Sequence, residues 1–147
     1  MSIGKDSKFS PDTKTFNILL TGWCKRKAWQ ECKRFWKEAN EIDSFCPNLF
    51  SYSIFMDVLA KSGNPKKALR LFQEMEERGI QPDVTVYNIL IHVLGQVDRV
   101  NESLQVMHKM LEIGCRPNVM TYNSLIRNLC IAGRMHKSYR LLEQMIH

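Results

Sequence analysis

Long apolar runs are missing from this chain of 147 residues. No stretch approaches the roughly 18 consecutive apolar residues of a membrane-spanning helix, so no membrane partner is expected. The N-terminus, MSIGKDSKFSPD, lacks the apolar centre of a secretory signal, and its two Asp and absence of Arg do not match a transit peptide. Cysteine is sparse and unpatterned. The five residues form no CxxC pair and no Cys/His zinc spacing, and an odd count without a secretory signal argues for reduced thiols. No metal site and no cofactor is expected. His92, His108, His136 and His147 have no recurrent Cys, Ser or carboxylate at catalytic spacing. The expected set of catalytic residues is therefore empty, the chain does not read as an enzyme, and no small-molecule substrate is implied. Charge is one-sided only mildly. The net +6 comes from 21 basic and 15 acidic residues, with the excess in 1–48 and 119–147. That balance permits nucleic acid without requiring it.

Repetition is what the chain does have. Pro11, Pro47, Pro82 and Pro117 are spaced 36, 35 and 35 apart, and aligning on them brings further columns into phase. Phe16, Tyr52, Tyr87 and Tyr122 coincide, as do Leu19, Phe55, Leu90 and Leu125. Small residues fill two columns, Cys24/Ala60/Gly95/Cys130 and Cys32/Ala68/Ser103/Ser138, which places most cysteines in the core. A period of this length marks a stacked repeat.

Each unit divides into two helices. Phe16, Leu19, Leu20 and Trp23 follow the i, i+3, i+4, i+7 spacing of one apolar helix face. Turns are expected near Gly63, Asp98 and Gly133, with Asn64 capping the helix that Pro65 opens. Gly79 and Gly114 supply left-handed C-terminal caps. The expected helices are 13–25 and 28–43, 49–61 and 65–78, 84–96 and 100–113, 119–131 and 135–146. A two-helix unit cannot bury both faces alone, so neighbours stack. The fold class is all-α, a right-handed superhelical solenoid of stacked antiparallel helix hairpins. Residues 1–10 form a tail and 11–147 the array, in units of about 13–48, 49–83, 84–118 and 119–147, the last one truncated.

The segments QPDVTVYNILI, NVMTYNSLIRNLCIAGR and KKALRLFQEMEERGIQPD resemble the pentatricopeptide repeat over residues 11–147. The first unit departs most, being one residue longer and ending in EIDSFCPN. The resemblance implies single-stranded RNA as the partner, one base per repeat, in organellar RNA metabolism. The mitochondrion is the first expectation and the plastid the second. It also assigns roles. The base would be read by the residue after the first-helix aromatic together with the residue after the repeat-closing proline. These pairs are Asn17 with Asn48, Ser53 with Asp83, and Asn88 with Asn118, while Asn123 lacks a partner. The implied target is roughly 5′-YGYY, Y being a pyrimidine. Base-clamping falls to Lys14, Phe50, Thr85 and Met120, and phosphate contact to Lys25 and Lys61.

The residues themselves leave two alternatives open. Asp12, Asn48, Asp83 and Asn118 stand where helix N-caps belong, so capping alone accounts for that column. Asn17, Ser53, Asn88 and Asn123 lie past the cap, where Asn is a mediocre helix former. They belong to polar stripes, such as Asn17, Thr21 and Lys25, that would line a concave groove away from the apolar face. The run KRKAWQECKR (25–34) reads as a solvated surface with one buried ring. Four bases specify a site that recurs about once in 256 nucleotides at one base per repeat, so the expectation is a piece of a longer array or a protein whose target is held by other contacts. The competing functional reading is a structural scaffold binding protein or RNA without base reading, as in an organellar ribosome.

Overall fold

A computed structural model describes residues 9–42 and 45–147. In chain order the helices are α1 (Thr13–Lys25), α2 (Trp29–Asn40), α3 (Leu49–Lys61), α4 (Pro65–Glu77), α5 (Val84–Gln96), α6 (Val100–Glu112), α7 (Val119–Ile131) and α8 (Met135–Ile146). No strand occurs among the described residues. Helix α1 packs on α3, α3 on α5 and α5 on α7, forming one row. The second helix of each hairpin packs on its own partner and on the first helix of the next unit. The chain is a two-layered all-α solenoid.

The first helices start at side-chain caps. Asp12 accepts the backbone N–H of Thr15 at 2.9 Å, Asn48 that of Ser51 at 3.0 Å, Asp83 that of Val86 at 3.0 Å and Asn118 that of Thr121 at 3.1 Å. The second helices begin differently. Each is preceded by a residue in the left-handed region, Lys27, Gly63, Asp98 or Gly133, which turns the chain back sharply. The expected cap at Asn64 does not form. Its amide donates backwards to the carbonyl of Ser62 at 3.2 Å, and Pro65 opens α4 because a first-turn residue needs no N–H donor. Gly79 and Gly114 hold positive φ values of 74° and 78° after α4 and α6, as expected.

Two further expectations are corrected. Helix α2 ends at Asn40 rather than at 43, where the chain passes outside the described residues. The N–H groups of Glu41 and Ile42 bond three residues back, and the buried Phe45 then packs edge-on against Phe16 and Trp36. An aromatic anchor thus closes the unit that lacks the glycine ending. Among the cysteines only Cys32 is buried; Cys24 and Cys115 are half-buried, and Cys46 and Cys130 exposed. The column of Cys32, Ala68, Ser103 and Ser138 is buried in every unit, whereas the Cys130 column loses its cover in the last one. Likewise Leu142 is exposed, while Met107 and Phe72 in the same column are buried where another hairpin follows.

A buried polar contact distinguishes the junction of α5 and α7. Asn128 donates to the carbonyl of Ile91 at 2.9 Å, and its Oδ1 lies 2.0 Å from where a Cβ on Gly95 would stand. The corresponding pair one unit earlier is Ala60 with Val93, both buried. Exchanging Gly95 for Ala should gain helix propensity but evict Asn128. The net expectation is a loss of about 2 kcal/mol in chemical denaturation, from overpacking plus an orphaned buried amide. The double variant G95A/N128V, which copies the earlier pair, should recover most of it.

Tyr52 is fully buried and its hydroxyl has no hydrogen-bond partner. Burial, reinforced by the nearby Glu74 carboxylate, pushes its pKa up to about 12. The folded state therefore holds this proton after the unfolded chain has released it. The stability it contributes is complete below pH of about 10, the ordinary tyrosine value, and is lost as pH rises toward 12. A Y52F variant should melt like the parent at pH 7 and show a shallower decline above pH 10.

Candidate nucleic-acid interface

The cap that starts each first helix also places the residues before and after it on one side of the array. A groove of about 1120 Å³ runs along the first helices from α1 to α7. At its N-terminal end it adjoins a depression of about 730 Å³ that shares Thr21, Lys25 and Phe50. All four expected clamping residues reach these surfaces. Lys14 and Phe50 line the smaller depression, and Phe50, Thr85 and Met120 the larger groove. Each is exposed, Phe50 by 55% and Met120 by 66%. They stand in solvent at one-repeat intervals, Phe50 and Met120 apolar, Lys14 long and charged, and Thr85 short and polar.

The expected readers divide into two kinds. Asn17 and Asn88 were expected on an open polar stripe, and the structure instead buries them, at 6% and 8% exposure. Tertiary hydrogen bonds draw them into the wall. Asn17 Nδ2 donates to Asn48 Oδ1 at 3.2 Å, and Asn88 Nδ2 to Asn118 Oδ1 at 3.0 Å. Each amide oxygen accepts from a hydroxyl at the start of the next first helix, Ser51 at 2.6 Å and Thr121 at 2.5 Å. The members of these two expected pairs are therefore in direct contact. Ser53 lines the groove half-buried, and no side-chain hydrogen bond joins it to Asp83. Asp83 caps α5 from an exposed position, and Asn123 is exposed on α7; neither lines the groove.

Of the expected phosphate residues, Lys25 and Lys61 both line the groove. Lys61 is held 2.8 Å from Asp57 Oδ2, a hydrogen-bonded ion pair that keeps its pKa above the usual lysine value. The Asp57 carboxylate thereby offsets part of the charge that Lys61 offers the groove. The segment 25–34 contributes more than a solvated surface, since Lys27 and the half-buried Trp29 line the end of the groove.

Several groove residues escaped the sequence reading. Arg127 lines the C-terminal part, four residues after Asn123 on the same stripe as Thr21, Asp57 and His92. Its helical spacing was the available signal. Ile54 and Ile89, each directly after a reader, form apolar patches in the wall. Ser51 and Thr121 are also part of the arrangement, and both are fully buried. Among the described residues, no group of three His, Cys, Asp or Glu side chains converges on a metal position. No helix there is long and apolar enough to cross a membrane.

The contacts of Asn118 make a direct comparison available. N118A removes the α7 cap and the partner of Asn88 together, for an expected loss of about 1 to 2 kcal/mol in urea denaturation. N123A changes an exposed side chain and should stay within about 0.5 kcal/mol of the parent.

Family models agree with this architecture over most of the chain. The pentatricopeptide repeat domain matches residues 37–97 and 70–131, the PPR repeat family residues 11–61, and the PPR repeat residues 120–147. A mitochondrial pentatricopeptide repeat-containing protein of Arabidopsis thaliana is 44% identical over 61 residues, covering 42% of this chain and 13% of that relative. A second mitochondrial relative from the same plant is 36% identical over 77 residues, covering 52% of this chain and 13% of its own length. A chloroplastic one is 34% identical over 68 residues, 46% of this chain and 9% of that protein. The chain thus spans a small part of these relatives. Among solved structures, the pentatricopeptide repeat protein PPR10, solved from maize and also in complex with an 18-nt psaJ RNA element, is similar. In that complex the TM-score is 0.72 at 25% identity, over 95% of this chain and 20% of the other. The nuclear proteinaceous RNase P 2 of A. thaliana shares the fold, with a TM-score of 0.78 at 14% identity over 92% of this chain and 31% of its own. The repeat columns, the hairpin stack and these matches agree: the chain belongs to the pentatricopeptide repeat family.

Proposed function

We propose that this chain binds single-stranded RNA along the groove of its first helices, one base per repeat, as part of organellar RNA metabolism. The observation that carries the reading is the register of the groove. A clamping position and a reader position recur on each first helix, at the pitch of the repeat. Phe50 and Met120 offer faces for base stacking, and Lys25, Lys27 and Arg127 offer charge for phosphates. Lys14 and Thr85 are the departures from an aliphatic clamp, so stacking is weaker at their steps. In the complex of the maize protein, a similar array is bound to an RNA element. The base assignments follow the family resemblance: Asn17 with Asn48 takes a pyrimidine, Ser53 with Asp83 guanine, and Asn88 with Asn118 a pyrimidine. Asn123 gives a weaker pyrimidine, for 5′-YGYY. Relatives named mitochondrial and chloroplastic favour an organelle, the mitochondrion first.

A gel-shift panel across a salt series tests this. Single strands with a YGYY core should bind more tightly than scrambled cores, and duplexes should bind least. Affinity should fall as salt rises, because bound phosphates release counterions. Replacing Asn88 by Ser should move preference at the third base from pyrimidine toward adenine by a factor of about five to ten, the worth of one or two hydrogen bonds. Equal binding to every single strand would favour a scaffold that holds RNA without reading it.

A further inference from the structure

Within that base-reading function, we infer that Ser51 and Thr121 are positioning residues that set what Asn17 and Asn88 present to a base. Each hydroxyl sits at the third position of a first helix, and its polarity is dictated by the backbone. The Asn118 N–H donates to Thr121 Oγ1 at 3.0 Å, so the single hydroxyl proton is left to donate elsewhere. It has two acceptors in range, Asn88 Oδ1 at 2.5 Å and Asn118 Oδ1 at 3.1 Å, and the shorter contact takes it. Asn118 Oδ1 is in turn fixed as an acceptor by the Thr121 N–H at 3.1 Å, so Asn88 must donate its Nδ2 there. The Asn118 amide is thus oriented by a backbone N–H that cannot reverse, and the Asn88 amide by the acceptor Asn118 then presents together with the hydroxyl facing its own Oδ1. Turning the Asn88 amide over would set Oδ1 against Oδ1 and push the hydroxyl proton from its short contact with Asn88 onto the longer one with Asn118 Oδ1.

The first junction repeats this ring. Asn48 N–H donates to Ser51 Oγ at 3.1 Å, Ser51 Oγ to Asn17 Oδ1 at 2.6 Å, and Asn17 Nδ2 to Asn48 Oδ1 at 3.2 Å. The second junction is built otherwise. There the third position is Val86, which has no hydroxyl, and the reader before it is Ser53 rather than Asn. Asn reader and hydroxyl therefore occur together at two junctions and are absent together at the third.

The consequence is chemical. An Asn held in this ring offers the groove only N–H groups, one remaining on its own Nδ2 and two on the Nδ2 of the cap Asn. A donor-only site suits the O2 carbonyl that cytosine and uracil share and does not separate the two, while the choice of pyrimidine over purine, which also carries acceptors, rests on the proposed reading.

The decisive experiment compares T121V and T121S with the parent on RNAs that differ only at the third base. T121V leaves Asn88 Oδ1 without its hydroxyl donor in the wall, which favours an amide swung out to present that oxygen to the groove. The pyrimidine-over-purine ratio at that base should fall by a factor of about five to ten, one hydrogen bond's worth. The first-base preference should hold, and T121S should keep the parent ratio. A T121V ratio equal to the parent's overturns the inference while base reading stands. A parent with no third-base preference overturns both. Val86 is fully buried at the equivalent position, so the fold accommodates this side chain. If T121V nevertheless fails to fold, the reverse exchange decides. V86T added to an S53N variant should sharpen a pyrimidine preference at the second base, and no change overturns the inference.

Discussion

Two backbone N–H groups at the start of α7, those of Asn118 and Thr121, dictate the directions of the polar groups that join that end of the helix to Asn88. They exist because a helix leaves its first N–H groups without intrahelical partners. The cap answers that demand, and in doing so points Asn118 Oδ1 inward and leaves its Nδ2 toward the groove. Asn88 is then recruited from the previous repeat to complete the ring. A requirement of local helix chemistry thus becomes the link between successive units. At Asn48 and Asn118 capping uses only Oδ1 and leaves Nδ2 free, so it does not compete with the proposed base contact.

This coupling also shapes how the array holds together. Hairpins of about two helices bury little alone, and the row α1, α3, α5, α7 supplies the continuous core. Buried tyrosines and methionines fill the space between hairpins, while the rings at Asn17 and Asn88 stitch the groove side. On the far side, Lys109 reaches Glu76 at 3.1 Å and Arg134 bonds Asn101 across the repeat. These exposed contacts add little to stability and orient neighbouring hairpins.

Most of the architecture was readable in the sequence, since periodicity at 35 residues carries four independent copies of the same signal. The first-helix limits came out as expected because Asp or Asn caps mark their starts. Asn64 misled because cap chemistry was inferred from residue type, whereas its amide found a nearer partner in Ser62. The end of α2 was overextended because the first unit lacks the glycine stop, and a buried aromatic, Phe45, stands where the other units have the half-buried Ile80 and Cys115. At the site, the family resemblance named the expected clamping positions, and Lys14, Phe50, Thr85 and Met120 do line the groove and the depression beside it. Helical phase misplaced Asn17 and Asn88 in the open, because the bonds that bury them come from residues more than 30 positions away. The contributions of Ser51 and Thr121 were invisible for the same reason. As third residues of capped helices they have a complete local explanation, and only the contact with the preceding unit reveals a second role.

The central claim is that reader positions at repeat pitch present a fixed chemistry to consecutive bases. Its most direct test is selection of bound sequences from a randomised single-stranded RNA pool. The account predicts one contiguous motif, pyrimidine, guanine, pyrimidine, with a weaker pyrimidine at the fourth place where Asn123 stands exposed without a ring. A pool that binds while yielding no contiguous motif, or one with purines at the first and third places, would contradict it.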